Sequence, residues 1–473
     1  NAYLWVVSGG QINAIMPSNA PVGDAQLTVS YNGETSAPAT VKIVKSTFGA
    51  FTPSQNGQGP GWVFNFIDSG NQPANTNKAT AKPLQYATVW GTGLGPVPIP
   101  DNVEPFPAAG GDVNVLDLKE EANVKVFVGT AQSPQVFYAG RSAQFPALDQ
   151  ITFQVPENAP TGCWVPVTVE TDGVPSPSFK MAIDAAGEPC ADPLNPFTPI
   201  LTGGGDLGVM LLIRAGGELS LGAAPTAFTW DLFAGNFASQ PGGDFAYNFY
   251  MSLPPLGACV TAAVPLDILG FLGSGSLPDI DLGAEIDGGN GITLRRSADS
   301  AVVEIPKVDN RYVKTTGGGL LPGGPPLFWN AGAFHITSPG GAAVGPVNFN
   351  VNFPPSVQWT NANVTEINRS QGFTFTWQGG DPSQVVVVAG VNVGIISKIA
   401  AAYYCFGPQP AGRFTVPPVV LNSLFPAGEP GTTLGFAGVG VIPVNDIAQF
   451  QAQGLEAGVA LPVVVDLRTV SYR

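Results

Sequence analysis

Short runs in which apolar and polar residues alternate follow one another along the whole chain. QITFQV (150–155), VKVFVGT (124–130) and YATVWGTGLGP (86–96) are of this kind, and turn residues punctuate the runs. A period of two puts successive side chains on opposite faces of a strand, so these runs predict half-buried β-strands. Longer apolar stretches such as VVVVAGVNVGII (385–396) are too short to span a bilayer as a helix and are rich in β-branched residues. They predict strands buried on both faces. With 60 Gly and 46 Pro as punctuation, the chain is expected to be all-β, built of many short strands joined by turns.

Two stretches align. QINAIMPSNAPVGDAQLTVSYNGETSAPATVKI runs over 11–43, and QITFQVPENAPTGCWVPVTVETDGVPSPSFKMAI over 150–183. Gln11 stands with Gln150, Ile12 with Ile151, Pro17 with Pro156 and Gly23 with Gly162. After one inserted residue, Gly33 stands with Gly173 and Ser36 with Ser176. One supersecondary unit therefore occurs twice. It reads as a strand, a Pro-x-Asn-Ala-Pro-x-Gly turn, a second strand, a tight turn and a third strand. Before the second copy, GWVFNFID, YATVWGTGLGP, VKVFVGT and PQVFYAG supply an opening half, so 48–190 is expected to be a complete Ig-like sandwich. Before the first copy stands only AYLWVVSGG, which matches VFYAGRSAQFPALD. Residues 1–47 are expected to be an incomplete Ig-like half-domain.

The segments GTGLGP, VFYAGRSAQFPALDQITFQVPENAPTG, VTVETDGVPS and QINAIMPSNAPVG together resemble the Ig-like domain found near the C-termini of very large secreted proteins of soil bacteria, of acidobacterial type. The resemblance covers about 1–185. It implies extracellular Ig-like modules and carries no catalytic residues. Segments within 260–473 resemble, more weakly, β-rich stretches of secreted proteins from the same bacterial group. From the pattern, 191–200 (ADPLNPFTPI) reads as a Pro-rich linker. A β-sandwich or jelly-roll-like domain is expected over 201–355, and a C-terminal Ig-like sandwich over 356–473.

Charge and chemistry narrow the function. Nineteen Lys and Arg against 34 Asp and Glu give a net charge of −15. A duplex or an anionic membrane would repel such a chain, which argues against nucleic-acid binding. Cys163, Cys190, Cys259 and Cys405 form no CxxC, so zinc spacing is absent. They suggest two disulfides and an oxidising compartment, with Cys163–Cys190 the local pairing and Cys259–Cys405 the remainder; buried free thiols are the alternative. No signal peptide is read, and the chain is taken as a mature secreted form.

No catalytic motif emerges. His335, the one histidine, would have to serve any Ser-His-Asp triad, yet no GxSxG elbow accompanies it. It reads as a structural or surface residue. GTGLGP (91–96) lacks the spacing of a dinucleotide loop and reads as a strand-end turn. Asp279, Asp281, Glu285 and Asp287 cluster, and hard oxygen ligands at that density suit Ca²⁺ or, less well, a glycosidase carboxylate pair; a solvated acidic turn is the plainer reading. Asn363 and Asn368 begin formal N-glycosylation sequons. No cofactor is expected.

The half-domain raises the functional question. Tyr3, Leu4, Trp5, Val6 and Val7 form an apolar strand with open edges, which invites pairing with another chain. The missing strands are expected from a neighbouring molecule, from a longer precursor, or in cis from the C-terminal strand with Val463, Val464, Val465 and Leu467. The expected function is a secreted, non-enzymatic structural protein: a pilus-like fibre subunit that polymerises head to tail. The alternative is a monomeric adhesin or carbohydrate-binding sandwich, with Trp230, Trp329 and Trp377 as sugar-facing candidates that equally suit a core.

Overall fold

The computed structural model describes residues 1–473 apart from 102–115, 143–144, 146–147, 221–223, 267–280, 320–323, 429–431 and 445–446. The chain is all-β. Among the described residues, helix is limited to one-turn segments such as Thr198–Gly203 and Pro418–Leu421. No helix among them is long and apolar enough to cross a membrane. The chain divides into two compact units, one of 1–75, 81–159 and 167–179, the other of 76–80, 160–166 and 180–473.

The strands up to residue 183 are β1 (Tyr3–Val7), β2 (Ile12–Ile15), β3 (Gly23–Leu27), β4 (Ser30–Tyr31), β5 (Glu34–Thr35), β6 (Ala39–Ile43), β7 (Gly49–Ala50), β8 (Val63–Asn65), β9 (Tyr86–Thr92), β10 (Lys125–Val128), β11 (Ala131–Gln132), β12 (Val136–Arg141), β13 (Asp149–Gln154), β14 (Gly162–Thr171), β15 (Val174–Pro175) and β16 (Phe179–Ile183). From β7 onward they make two sheets. One runs β12-β13-β9-β7 with β8 also on β9; the other runs β11-β10-β14-β15 with β16 also on β14. Alternation along β9 and β13 sends Ala87, Val89, Ile151 and Phe153 into the core, all fully buried, and leaves their polar neighbours outside. The GTGLGP turn follows from close approach: a Cβ on Gly93, whose φ is +101°, would stand 2.1 Å from the carbonyl oxygen of Thr47.

In the larger unit one ten-stranded sheet dominates. Its main path is Cys259–Pro265, Ile399–Pro408, Val385–Gly394, Thr433–Ile442, Ala457–Thr469, Gly205–Leu219, Thr226–Gln240 and Ala284–Glu285. This corrects the division between 201–355 and 356–473. Strands from both halves share the sheet, Gly205–Leu219 runs parallel to Ala457–Thr469, and the Cys259–Cys405 disulfide joins the two halves. Alternation marks a strand but not its partner, and a parallel neighbour lies far away in sequence. The linker expected at 191–200 is also corrected. Phe197, Ile200 and Leu201 are core residues packed with Leu207 and Met251, and the amide of Asn195 donates to the carbonyl of Met251 at 2.9 Å. Proline there starts a helical turn instead of an extended spacer.

Candidate assembly site

The two sequence copies share several local backbone features. β1 pairs antiparallel with β2 as β12 pairs with β13, and both pairs carry the same β-bulge, between Leu4 and Val6 and between Val136 and Tyr138. Trp5 and Phe137 are the bulged residues. The tight turn of the first copy has Asn32 and Gly33 at φ of 50° and 83°, and that of the second has Asp172 and Gly173 at 49° and 80°. The N–H of Val29 donates to the hydroxyl of Ser36 at 3.1 Å, and the N–H of Val169 to that of Ser176 at 3.0 Å. Each serine hydroxyl donates in turn to the carbonyl of the next residue at 3.0 Å.

What covers the two copies differs. The free edge of β13 is taken by β9, with Ile151 opposite Val89, and that of β14 by β10, with Val169 opposite Val126. Among the described residues, β2 pairs only with β1 and β3 only with β6. The run that is one ten-residue strand in β14 is broken in the first copy at Thr28 and Val29, the positions that face β10 in the second. Side chains follow: Ile12, Met16, Leu27 and Val29 are 45–49% exposed, whereas Ile151, Val155, Val167 and Val169 are 0% exposed. Such an apolar, unpaired edge leaves backbone groups and side chains that a further strand would cover.

One side of residues 1–47 is already held by the rest of its unit. The Ser18 hydroxyl donates to Asp101 at 2.5 Å and accepts from the N–H of Val97 at 3.0 Å, Lys45 pairs with Asp172 at 2.9 Å, and Ile15 is buried. A cleft of about 910 Å³ runs along this side, lined by residues that include Trp5, Ile12, Met16 and Phe51. In the second copy Asp149 accepts from Arg141 and from the N–H of Leu94. Burial holds its carboxyl above the usual range despite the guanidinium. Its counterpart Gly10 offers no such clasp.

Tyr3, Leu4, Trp5, Val6 and Val7 are exposed. The C-terminal residues are a correction. Val463, Val464, Val465 and Leu467 lie in a strand paired on both edges, with Gly205–Leu219 on one side and Thr433–Ile442 on the other. Both rows of backbone groups are used, so this strand is not free to donate. Asp281, Glu285 and Asp287 do not converge either. Asp281 caps the N–H of Gly283, Glu285 pairs with Arg311 at 2.7 Å, and Asp287 pairs with Lys307 at 2.5 Å. Asp287 also accepts from the N–H of Ala342, and these donors hold its carboxyl down to about 2. Among the described residues no three potential ligands gather around a metal position; Asp279 lies outside the described residues.

His335 is half-buried and hydrogen-bonded to Asn348 at 2.8 Å, on a strand paired along both edges. Trp230, Trp329 and Trp377 are buried, with their indole N–H groups donating to Thr315, Leu232 and Gln409. They are core residues, not sugar platforms. Asn363 and Asn368 are exposed. Cys163 bonds to Cys190 and Cys259 to Cys405.

An aromatic sheet face escaped the sequence reading. Trp62, Phe64 and Phe66 project outward along and beside β8, as do Tyr86, Thr88 and Trp90 of β9. Trp62 stacks on Phe64, Phe137 meets Tyr86 edge-on at 6.2 Å, and Thr88 and Thr152 share a hydrogen bond of 2.8 Å. The signal was there in the spacing: W-x-F-x-F and Y-x-T-x-W each place aromatic residues on one face.

No protein-family model matches the sequence, and no curated protein does. Solved structures with some likeness include the FN1–FN3 domains of chicken CNTN1, 7% identical, with 85% of this chain and 99% of that one covered and a TM-score of 0.15. Dimeric latent PorU from Porphyromonas gingivalis is 10% identical, with 84% and 34% covered and a TM-score of 0.14. Both likenesses are too slight to bear on function, and the all-β architecture rests on the sheets themselves.

Proposed function

We propose that the protein is a secreted structural subunit of an extracellular fibre, in which the half-sandwich of residues 1–47 is completed by β-strands from a neighbouring subunit. The observation that carries this reading is the open apolar face of Ile12, Met16, Leu27 and Val29, sealed at every equivalent position of the second copy. Disulfides and tandem Ig-like modules suit an oxidising, extracellular setting, in keeping with the resemblance to secreted bacterial modules. The joint uses the N-terminal half-sandwich as acceptor. The C-terminal strand stays in its own sheet. Electron microscopy and mass photometry of the purified chain test the reading: filaments or ladders of oligomers support it, and monomers at every concentration sink it.

A second reading has its own observation. The uncharged face of Trp62, Phe64, Tyr86, Trp90 and Phe137, interleaved with Thr88 and Thr152, has the chemistry of a platform for a neutral polysaccharide, apolar rings beside hydroxyl groups. A glycan array with wild type and Trp90→Ala tests it. Binding that the substitution removes would make the protein an adhesin.

A further inference from the structure

One row of the ten-stranded sheet lacks a side chain where its neighbours carry them. Gly216 stands opposite Thr229 on one strand and Asp466 on the other, and Asp466 stands opposite Val439. Residues in register across a sheet share a face, so the row reads Thr229, Gly216, Asp466, Val439, with a gap at the glycine. A Cβ on Gly216 would stand 3.7 Å from the carbonyl oxygen of Phe228 and 3.8 Å from the hydroxyl of Thr229, which are ordinary contact distances. Its φ is not in the left-handed region either. Neither a turn nor a close approach of the backbone calls for glycine here. Glycine weakens a strand interior and often marks a place where a ligand comes close.

The gap opens into a cleft of about 640 Å³, within the size range of small-molecule sites. We infer that this cleft binds a small neutral saccharide of one or two rings. The inference uses neither the edges of residues 1–47 nor the aromatic face of β8 and β9, and goes beyond both readings above. Charge is the first argument. Arg214 lines the cleft, but its guanidinium already makes two bonds of 2.7 Å to the buried Asp231. Asp466 lines it too, and accepts from Arg468. An anion would meet the Asp466 carboxylate and a cation the Arg214 guanidinium, and each of those groups already has its counter-charge. The site therefore favours an uncharged guest.

Hydrogen-bonding capacity is what the cleft leaves open. Among the described residues, Nη1 of Arg214 and the hydroxyls of Thr229 and Ser356 have no partner. At the exposed mouth the side-chain amide of Gln378 donates to the side-chain oxygen of Gln358 at 2.5 Å. That bond leaves the oxygen of Gln378 to accept and the amide nitrogen of Gln358 to donate. Unused donors thus stand beside unused acceptors. A hydroxyl both donates and accepts, so a ring that carries several of them satisfies such a mixed set. The same ring has C–H faces, and the buried Val439 and Val464 offer apolar surface for one of them. The gap at Gly216 supplies the depth that a ring needs to reach these valines.

The test is saturation-transfer NMR on the full chain with glucose, galactose, mannose, maltose, cellobiose and lactose, and with glucuronate and glucosamine as charged controls. The inference expects at least one neutral sugar to bind and both charged sugars to bind more weakly. Gly216→Leu fills the gap and should abolish the signal. Gln378→Ala removes one polar contact at the mouth and should weaken binding about 3- to 10-fold. Should Gly216→Leu not fold, Gln378→Ala decides alone. The inference is overturned if no neutral sugar binds, if a charged control binds more tightly than every neutral one, or if binding survives the cleft variants unchanged. In the last case the sugar sits elsewhere on the molecule. None of these failures bears on the fibre reading, which electron microscopy and mass photometry test separately.

Discussion

Val29 and Val169 make the same backbone bond to a serine hydroxyl seven residues on, yet Val29 is 45% exposed and Val169 fully buried. The same substitution should therefore act on different processes at the two sites. Val169→Asp buries an unpaired charge and is expected to destabilise the fold by at least about 3 kcal/mol. Val29→Asp should shift the melting temperature of the monomer little and abolish assembly. Thermal melts beside sedimentation velocity check both. Equal destabilisation by the two would mean that the face of residues 1–47 is already covered in solution.

A similar contrast separates the two disulfides. Cys259 and Cys405 are both buried and directly opposite on neighbouring strands, whereas Cys190 is only partly buried. Access governs thiol exchange. Mild reductant followed by alkylation and mass spectrometry should label Cys163 and Cys190 first. The longer loop makes Cys259–Cys405 the more stabilising bond, worth about 4–5 kcal/mol against about 3–4 for the other in the chain-entropy account. Prior labelling of Cys259 would refute the order.

Asp231 is a heavily bonded carboxylate of the large sheet. It accepts from two nitrogens of Arg214 at 2.7 Å each, and from the N–H groups of Phe328 and Trp329 at 2.7 and 2.9 Å. Arg214, 17 residues before it, and Phe328 and Trp329, 97 and 98 residues after it, are tied to one fully buried side chain. Asp231→Ala strands the guanidinium and two amides together, and is expected to cost about 3–5 kcal/mol. Arg214→Met leaves the two amide donors to share the charge and should cost less. Urea denaturation of both variants measures the difference, and a larger loss for Arg214→Met would contradict this ranking.

Much of this was legible in the sequence, and the gaps have a common cause. The repeat of 11–43 in 150–183 foretold the shared turn because Asn32-Gly33 and Asp172-Gly173 encode it locally. The inward positions of β9 and β13 follow from alternation alone. What failed was non-local. Val463–Leu467 reads as a β-branched strand, yet nothing in its own pattern names Ile213–Gly217 as its parallel neighbour. Phe197 looked like part of a spacer because three prolines surround it, although one of them starts a helical turn. The acidic stretch was gathered by sequence and dispersed by pairing with Lys307 and Arg311.

Asp192 makes stability depend on pH. Its carboxyl accepts from the N–H of Cys163 at 2.8 Å, but burial dominates and pushes it up to about 6. An unfolded Asp titrates near ~3.9. Between those values the native state holds the proton more tightly than the unfolded chain, so stability falls as pH rises from about 4 to about 6 and stays lower above. A shift of this size corresponds to about 3 kcal/mol at most. Asp192→Asn keeps an acceptor for the Cys163 N–H and cannot ionise. The variant should be the more stable protein at pH 7, match wild type near pH 4, and lose the slope between. Melting temperatures of both proteins from pH 4 to pH 8 decide the matter: parallel curves would mean that Asp192 ionises in the native state as freely as in the unfolded one.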